Sequence, residues 1–264
     1  MSRKRMSAEV ARPGAPGALG GERDGTAGIP DAAVDDLDVS DEELEAQVAA
    51  LDPARPTEHQ LAGGAPRGLA WLLTIGGALG AWAAVMLVLS EIEVARDPDA
   101  ALACDFNPLI GCGTFITTWQ AHLFGIPNAV VGTVAFAALT AVGVMLLARA
   151  RPARWFWVTL TAAATLAILW VFWFQYQALF SIRGLCPYCL VVWTVMIPIF
   201  VNVWARSLQA GHVRVPDRLR RTLVQDRLRR TLVQDRWIIV AAWYAAVVLA
   251  VAWVFWDQWL LLLA

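Results

Sequence analysis

The residues best suited to chemistry are four cysteines, which fall in two pairs along the chain. Cys104 and Cys112 are separated by seven residues, and Cys186 and Cys189 belong to a Cys-Pro-Tyr-Cys motif. Proline is favoured at the first position of a helix, so Pro187 predicts a helix that begins at this motif. Unpaired N–H groups and the helix dipole lower the pKa of a thiol at such an end, which predicts a redox-active pair.

Two other interpretations of the cysteines have to be weighed. The four thiols could ligate zinc, but Cys104 and Cys112 are further apart than the roughly two to four residues typical of zinc sites. Cys104 and Cys112 could also form a static disulfide that only staples a loop. On that interpretation the protein is a membrane scaffold without enzymatic activity, and its thiols do not cycle between reduced and oxidised forms.

The elements that position these cysteines are predicted to be transmembrane helices. Of the 264 residues, 58% are hydrophobic and 16% are charged, whereas about 25% of the residues in an ordinary soluble domain are charged. A helix of about 20 apolar residues crosses a bilayer, and five such segments carry no charged side chain. They are residues 69–89, 128–148, 155–182, 186–205 and 237–256. The net charge of −1 gives no reason to expect nucleic acid as a partner.

The arginines predict the orientation of these spans. Three arginines lie between the second and third spans and nine lie within residues 206–236, against only Arg96 and Arg183 in the alternate loops. By the positive-inside rule the N-terminus is cytoplasmic. All four cysteines then lie on the outer side of the membrane, where disulfides form and persist.

The segment between the first two spans, residues 91–127, is here called the cysteine loop. It is long for a connection in a compact bundle, which indicates a function. An Asn-Pro dipeptide, a turn signal, separates its two cysteines. Phe115, Trp119 and Leu123 follow at helical spacing and predict a short amphipathic helix that lies on the membrane surface as a lid. His122 on this helix could shuttle a proton or simply be solvated.

The remaining segments are assigned from composition. Residues 1–67 hold 13 of the 22 acidic residues and none of the 27 aromatic ones, so they are predicted to be a disordered cytoplasmic tail. Residues 68–206 are predicted to be a catalytic four-helix domain, residues 207–236 a basic cytoplasmic loop near anionic lipid, and residues 237–264 a fifth transmembrane helix. The basic loop repeats the nine residues DRLRRTLVQ in tandem, and we assign this duplication no function.

Three motifs occur in order between about residue 69 and residue 206. They are Cys104-Asp105-Phe106-Asn107-Pro108 with Cys112-Gly113, then Phe124-Gly125-Ile126-Pro127-Asn128 before the second span, and Cys186-Pro187-Tyr188-Cys189. A lone Cys-x-x-Cys motif would be a weak signal, but the three motifs in this order are specific. They resemble those of the vitamin K epoxide reductase family in its bacterial form.

The resemblance implies an all-α membrane protein in which a four-helix transmembrane bundle surrounds a quinone, with a fifth transmembrane helix beside it. It also implies a path for electrons, from the thiols of a partner to Cys104, through Cys112 to Cys186, and from Cys189 to the quinone. The quinone would be menaquinone or ubiquinone, with menaquinone preferred, and no metal is expected.

The resemblance further implies which side chains contact the quinone: Phe124, Asn128, Tyr188 and Trp193. Asn128 could instead, or in addition, cap a helix, because asparagine is favoured at that position. Trp193 stands where some members of the family have a tyrosine, which favours stacking over hydrogen bonding at this contact.

The expected partner is a separate thioredoxin-fold thiol oxidase of the disulfide-bond (Dsb) type, together with membrane lipid and the quinone pool. Many bacterial relatives continue into a thioredoxin-like domain, whereas this chain ends at Ala264. The expected location is the bacterial inner (cytoplasmic) membrane.

The unrelated disulfide-bond protein B type of quinone reductase also has four helices and two cysteine pairs, but there the Cys-x-x-Cys motif lies in the first outer loop. Turnover of vitamin K epoxide is not implied.

Overall fold

A computed structural model of the chain describes Leu44, Gln47 and residues 57–123, 125–211 and 235–258. Four predictions fall wholly or partly outside these residues. They concern Phe124, most of the acidic tail, the duplicated segment of the basic loop, and the end of the segment 237–264.

Five helices in the described part of the chain are long and apolar enough to cross a membrane. They are α1 (Arg67–Arg96), α2 (Asn128–Leu147), α3 (Arg154–Tyr176), α4 (Pro187–Gln209) and α5 (Arg236–Val254). A π-helical turn, Gln177–Ile182, continues α3 to the end of the predicted third span. The five predicted spans are confirmed, and the protein is an all-α membrane protein.

The helices pack closely where glycines replace larger side chains. Helix α1 packs most extensively against α2 and also against α4, and α4 packs against α3 and α5. A Cβ atom added at Gly77 of α1 would lie 2.7 Å from the backbone nitrogen of Thr140 in α2, and one added at Gly143 would lie 2.4 Å from the backbone nitrogen of Thr74. Small residues drive helix association in a bilayer through such close backbone contact.

Helix α5 is attached to the bundle through its aromatic side chains. The ring of Trp243 stacks on Phe172 of α3 with the ring centroids 4.6 Å apart, and it meets Phe200 of α4 edge-on. Phe255, just beyond α5, is fully buried with Leu109, Leu179 and Leu185. The fifth helix therefore contacts both the bundle and the cysteine loop.

The cysteine loop begins at Asp97, because α1 continues to Arg96. Its predicted lid helix is not continuous: Gly113–Ile116 forms one α-helical turn and Trp119–His122 one 3-10 turn. Thr118 between them has extended backbone, and its hydroxyl donates to the carbonyl of Phe115, which ends the first turn. Phe115 is consequently buried while Trp119 is exposed, so the prediction of one amphipathic face was wrong.

At the opposite end of the bundle, residues 57–66 pack against α3 and α4. Trp157 Nε1 donates to the carbonyl of Gly63, and Arg206 donates to the carbonyls of Gly64 and Gln60 at 2.9 and 2.6 Å. The Arg206 guanidinium also lies 4.7 Å from the centre of the Trp157 ring. Residues 57–66, which the sequence analysis assigned to the tail, are thus anchored to the bundle by buried polar groups.

Candidate active site

A short backbone pairing joins the cysteine loop to the start of α4. The N–H of Gly111 donates to the carbonyl of Leu185 at 2.9 Å, and the N–H of Leu185 donates to the carbonyl of Leu109 at 2.8 Å. This parallel bridge centres on Ile110 and Leu185. Because the next residues along the two segments lead into Cys112 and Cys186, the bridge sets the distance between the two cysteine pairs.

The four cysteines meet at this end of the bundle. Cys104 and Cys112 form a disulfide, and Cys186 and Cys189 are free thiols. The Sγ atom of Cys112 lies 3.6 Å from the Sγ atom of Cys186. A thiolate at Cys186 is therefore beside one sulfur of the loop disulfide, which is the contact that thiol–disulfide exchange requires.

Asp105 holds Cys112 in this position. Its Oδ1 atom accepts hydrogen bonds from the backbone N–H groups of Cys112 at 2.6 Å and Gly113 at 3.1 Å. The carboxylate fits only because Gly111 has no side chain, since a Cβ atom there would lie 2.5 Å from Asp105 Oδ1. Hydrogen bonds to a carboxylate are among the stronger ones in proteins, so this contact fixes the turn that presents Cys112.

The surroundings of Cys186 favour its thiolate. A hydrogen bond from the Cys189 thiol lowers the pKa of Cys186, and so do the backbone N–H groups of Cys189 and Tyr188. Burial and the negative charge of Asp105 act in the opposite direction, but the pKa of Cys186 remains below its ordinary value. As the cap residue of α4, Cys186 has the predicted place at a helix N-terminus.

The loop disulfide is covered in this state. Cys104 is 2% exposed and Cys112 is fully buried, and Ser90 Oγ of α1 lies 3.9 Å from the Cys104 sulfur. Phe106, two residues after Cys104, is 71% exposed. The sequence predicts that Cys104 meets a soluble partner, and this structure shows that the loop has to open before any protein reaches that sulfur.

Asn128 begins α2 but does not cap it. Pro127 has the cap position and no side chain caps the helix. The Asn128 Nδ2 atom instead donates to the carbonyl of Gln120 in the 3-10 turn, at 2.6 Å, and among the described residues its buried Oδ1 atom has no partner. A buried, unpaired amide oxygen is costly, so this atom fits a ligand group that donates a hydrogen bond.

The other predicted quinone contacts lie in different surroundings. The half-buried Tyr188 ring packs edge-on against Trp82 of α1, with the centroids 5.7 Å apart. Trp193 is buried and lines a groove of about 570 Å³ between α4 and α5. Asn128 and Tyr188 do not line that groove.

His122 faces a carboxylate of the first helix. Its Nε2 atom lies 3.8 Å from Glu91 Oε1, and its Nδ1 atom lies 3.3 Å from the carbonyl of Thr118. The side chain of His122 is 40% exposed. The pair links the 3-10 turn to α1, a contact that its position in the sequence did not predict.

Comparison with known proteins identifies this arrangement. Residues 71–204 match the model of the vitamin K epoxide reductase family. The chain belongs to this family. Its members are membrane oxidoreductases of disulfides that use quinone and generally work with a thioredoxin-like protein. The match includes both cysteine pairs and ends within α4, so α5 lies outside it. No curated protein matches the chain.

Sequence reasoning missed two features of this site. Asp105 was part of the family motif but received no role, because the turn signal of an aspartate concerns the backbone about two residues on, whereas this carboxylate accepts from N–H groups seven and eight residues on. Leu185 gave no signal, because its contribution is a backbone hydrogen bond that any residue except proline could make.

Proposed function

We propose that the protein is a thiol:quinone oxidoreductase that reoxidises a thioredoxin-fold disulfide catalyst and passes the electrons to membrane quinone. One observation carries the proposal: the 3.6 Å separation of the Cys112 and Cys186 sulfurs beside a disulfide that involves Cys112. A static staple has no need of a low-pKa thiol in contact with it. The activity supports disulfide formation outside the cytoplasm.

In the first step, a partner thiolate attacks Cys104 of the loop disulfide, and Cys112 leaves as a thiolate. The second thiol of the partner then attacks the mixed disulfide and releases Cys104. The partner departs with a disulfide, and the loop holds the two electrons and two protons as two thiols. Opening of the cysteine loop precedes this step, because Cys104 is buried when the loop is closed.

In the second step, the Cys112 thiolate attacks Cys186 of an oxidised Cys-x-x-Cys pair, and Cys189 leaves as a thiolate. Cys104 then attacks Cys112, which reforms the loop disulfide and releases Cys186. The products are a loop disulfide and two free thiols at Cys186 and Cys189, which is the state of the structure. The lowered pKa of Cys186 makes it a good leaving group.

A bound quinone supplies the acceptor for two electrons and two protons as the Cys186–Cys189 disulfide reforms. Asn128 would hold it through the unpaired Oδ1 atom, which can accept a hydrogen bond from a reduced ring oxygen. Tyr188 and Trp193 would contribute aromatic contact on either side of Cys189, and Phe124 is assigned by family resemblance alone. Menaquinone is preferred over ubiquinone.

The proposal includes a location. The protein would lie in the bacterial inner membrane with its N-terminus in the cytoplasm and its four cysteines on the extracytoplasmic face. The arginine distribution supports this orientation. The partner would be a separate thiol oxidase of the disulfide-bond type.

Purified protein in lipid nanodiscs, mixed with a reduced thioredoxin-fold oxidase and a quinone, tests the proposal. We expect quinone absorbance to fall as partner thiols disappear, in a ratio of one quinone to two thiols. Changing any of the four cysteines to serine should abolish this turnover. If mild reductant followed by quinone leaves the thiol count of the protein unchanged, the protein is instead a scaffold with structural disulfides.

A further inference from the structure

Apart from Trp193, the residues that line the groove between α4 and α5 have been given no role in quinone binding so far. It has a volume of about 570 Å³ and its walls are almost entirely apolar, with Leu185, Leu190, Trp193 and Ile197 on one side and Val248 and Val251 on the other. Its volume falls within the range of about 300–1,000 Å³ that small-molecule sites have in proteins. Its α5 wall lies outside the part of the chain that matches the family.

We infer that this groove binds the isoprenoid tail of the quinone, an inference that rests on the proposed function. The polar groups along the groove already have partners within the protein. Thr194 Oγ1 donates to the carbonyl of Leu190, and the hydroxyl of Tyr244 donates to the carbonyl of Thr194. Both hydroxyl protons along the groove are thus used within the protein, so a ligand with acceptor groups finds no free side-chain donor there, whereas a hydrocarbon chain needs none.

The position of the groove connects it with the reactive cysteines. Leu190 directly follows Cys189, and Trp193 lies one helical turn further along α4. Trp193 is at the same time part of the bundle core that includes Cys186 and Cys189. A quinone ring near Cys189 would therefore have its tail exit past Trp193 into the groove.

The groove does not run along the whole length of the contact between α4 and α5. Its α5 residues begin at Tyr244, and the neighbouring Trp243 stacks on Phe172 and meets Phe200. This aromatic cluster fills the space between the helices on the side of the groove that faces away from the cysteines. The groove is therefore confined to the half of the helix pair next to the cysteines. Bulk lipid chains would contact both halves, whereas the tail of a quinone bound near Cys189 would contact only this one.

Two neighbouring residues of α5 provide a matched test. Val248 lines the groove and is 64% exposed, while Leu249 does not line it and is 68% exposed. The variants Val248→Trp and Leu249→Trp are compared in nanodiscs with two probes, a naphthoquinone that carries several isoprene units and 2-methyl-1,4-naphthoquinone, which has no tail. Quinone and phospholipid retained by each protein are measured by native mass spectrometry, and KM is measured for both probes.

Val248→Trp should reduce retention of the tailed quinone and raise its KM at least about fivefold, because several methylene contacts are lost. The KM of the tailless quinone should not change, and Leu249→Trp should alter neither. If Val248→Trp fails to assemble, Val251→Phe narrows the same groove with a smaller change. The inference would be overturned if Val248→Trp raised the KM of both quinones equally. It would also be overturned if this variant lost phospholipid but retained the tailed quinone in full. Failure of the wild-type protein to reduce either quinone would instead reject the proposed function.

Discussion

At the scale of single residues, Asp105 acts on two cysteines in different ways. Its carboxylate orders the loop at Cys112 through two backbone hydrogen bonds. Its negative charge also raises the pKa of Cys186, against the stronger effect of the Cys189 thiol. The position of Cys112 and the reactivity of Cys186 are therefore linked through one carboxylate, and a substitution of Asp105 affects both.

Asp105→Asn should slow exchange between the loop and the Cys-x-x-Cys pair roughly tenfold, because replacement of a charged acceptor costs about 1–2 kcal/mol. The rate is measured by quenched-flow alkylation after the reduced partner is added. Asp99→Asn changes an exposed carboxylate of the same loop and serves as the control. An unchanged rate in Asp105→Asn would show that Asp105 does not position Cys112.

The lowered pKa of Cys186 predicts the pH dependence of its alkylation. A lower pKa means that the thiolate persists at lower pH, so the half-point for alkylation of Cys186 in the wild-type protein should lie below that of an ordinary cysteine. Cys189→Ala removes the main stabilising hydrogen bond, and the half-point should move to higher pH. Mass mapping of Cys186 over a pH series gives both values, and a downward shift in the variant would contradict this assignment.

At the scale of elements, the length of the apolar segments was sufficient to predict the long helices, but helical spacing was not sufficient to predict the loop. The five spans follow from apolar length alone, and Pro187 predicted the start of α4. The cysteine loop depends on contacts between segments far apart in sequence, such as the bridge from Ile110 to Leu185. Helical spacing of Phe115 and Trp119 could not show that Thr118 would interrupt the helix.

The bridge itself can be tested by removal of one donor. Leu185→Pro eliminates the N–H that bonds to the carbonyl of Leu109, and it should reduce exchange between the loop and Cys186 by about tenfold or more. Leu185→Ile keeps the N–H and the apolar volume and should behave as the wild-type protein. If both variants exchange at the wild-type rate in the same alkylation assay, the bridge does not set the distance between the sulfurs.

At the scale of the whole molecule, one end of the bundle holds the reactive cysteines and the other end holds contacts that stabilise the fold. The cysteine end carries the reactive sulfurs, and the opposite end is closed by Arg206, which joins α4 to residues 57–66. Sequence reasoning placed Arg206 at the edge of a basic loop, because charge alone does not distinguish an exposed arginine from one that is 1% exposed. The burial of Arg206 is apparent only from its contacts with the Trp157 ring and with the carbonyl groups of Gln60 and Gly64.

Arg206→Met should destabilise the protein without altering thiol exchange. The carbonyls of Gln60 and Gly64 lose their donor, at a cost of about 2–4 kcal/mol, which should lower the Tm by several degrees. Arg151→Met removes an exposed arginine at the same end and should change the Tm little. A Tm equal to that of the wild-type protein, measured in the same detergent, would show that this contact contributes nothing to stability.

The central claim is that electrons pass between the two cysteine pairs through Cys112 and Cys186. Two double variants test it: Cys104→Ser with Cys189→Ala leaves only Cys112 and Cys186, and Cys112→Ser with Cys189→Ala leaves only Cys104 and Cys186. After mild oxidation, non-reducing peptide mapping should show a disulfide between the loop and α4 in the first variant, as the 3.6 Å separation requires, and free thiols in the second. Free thiols in the first variant, or a disulfide only in the second, would contradict the relay.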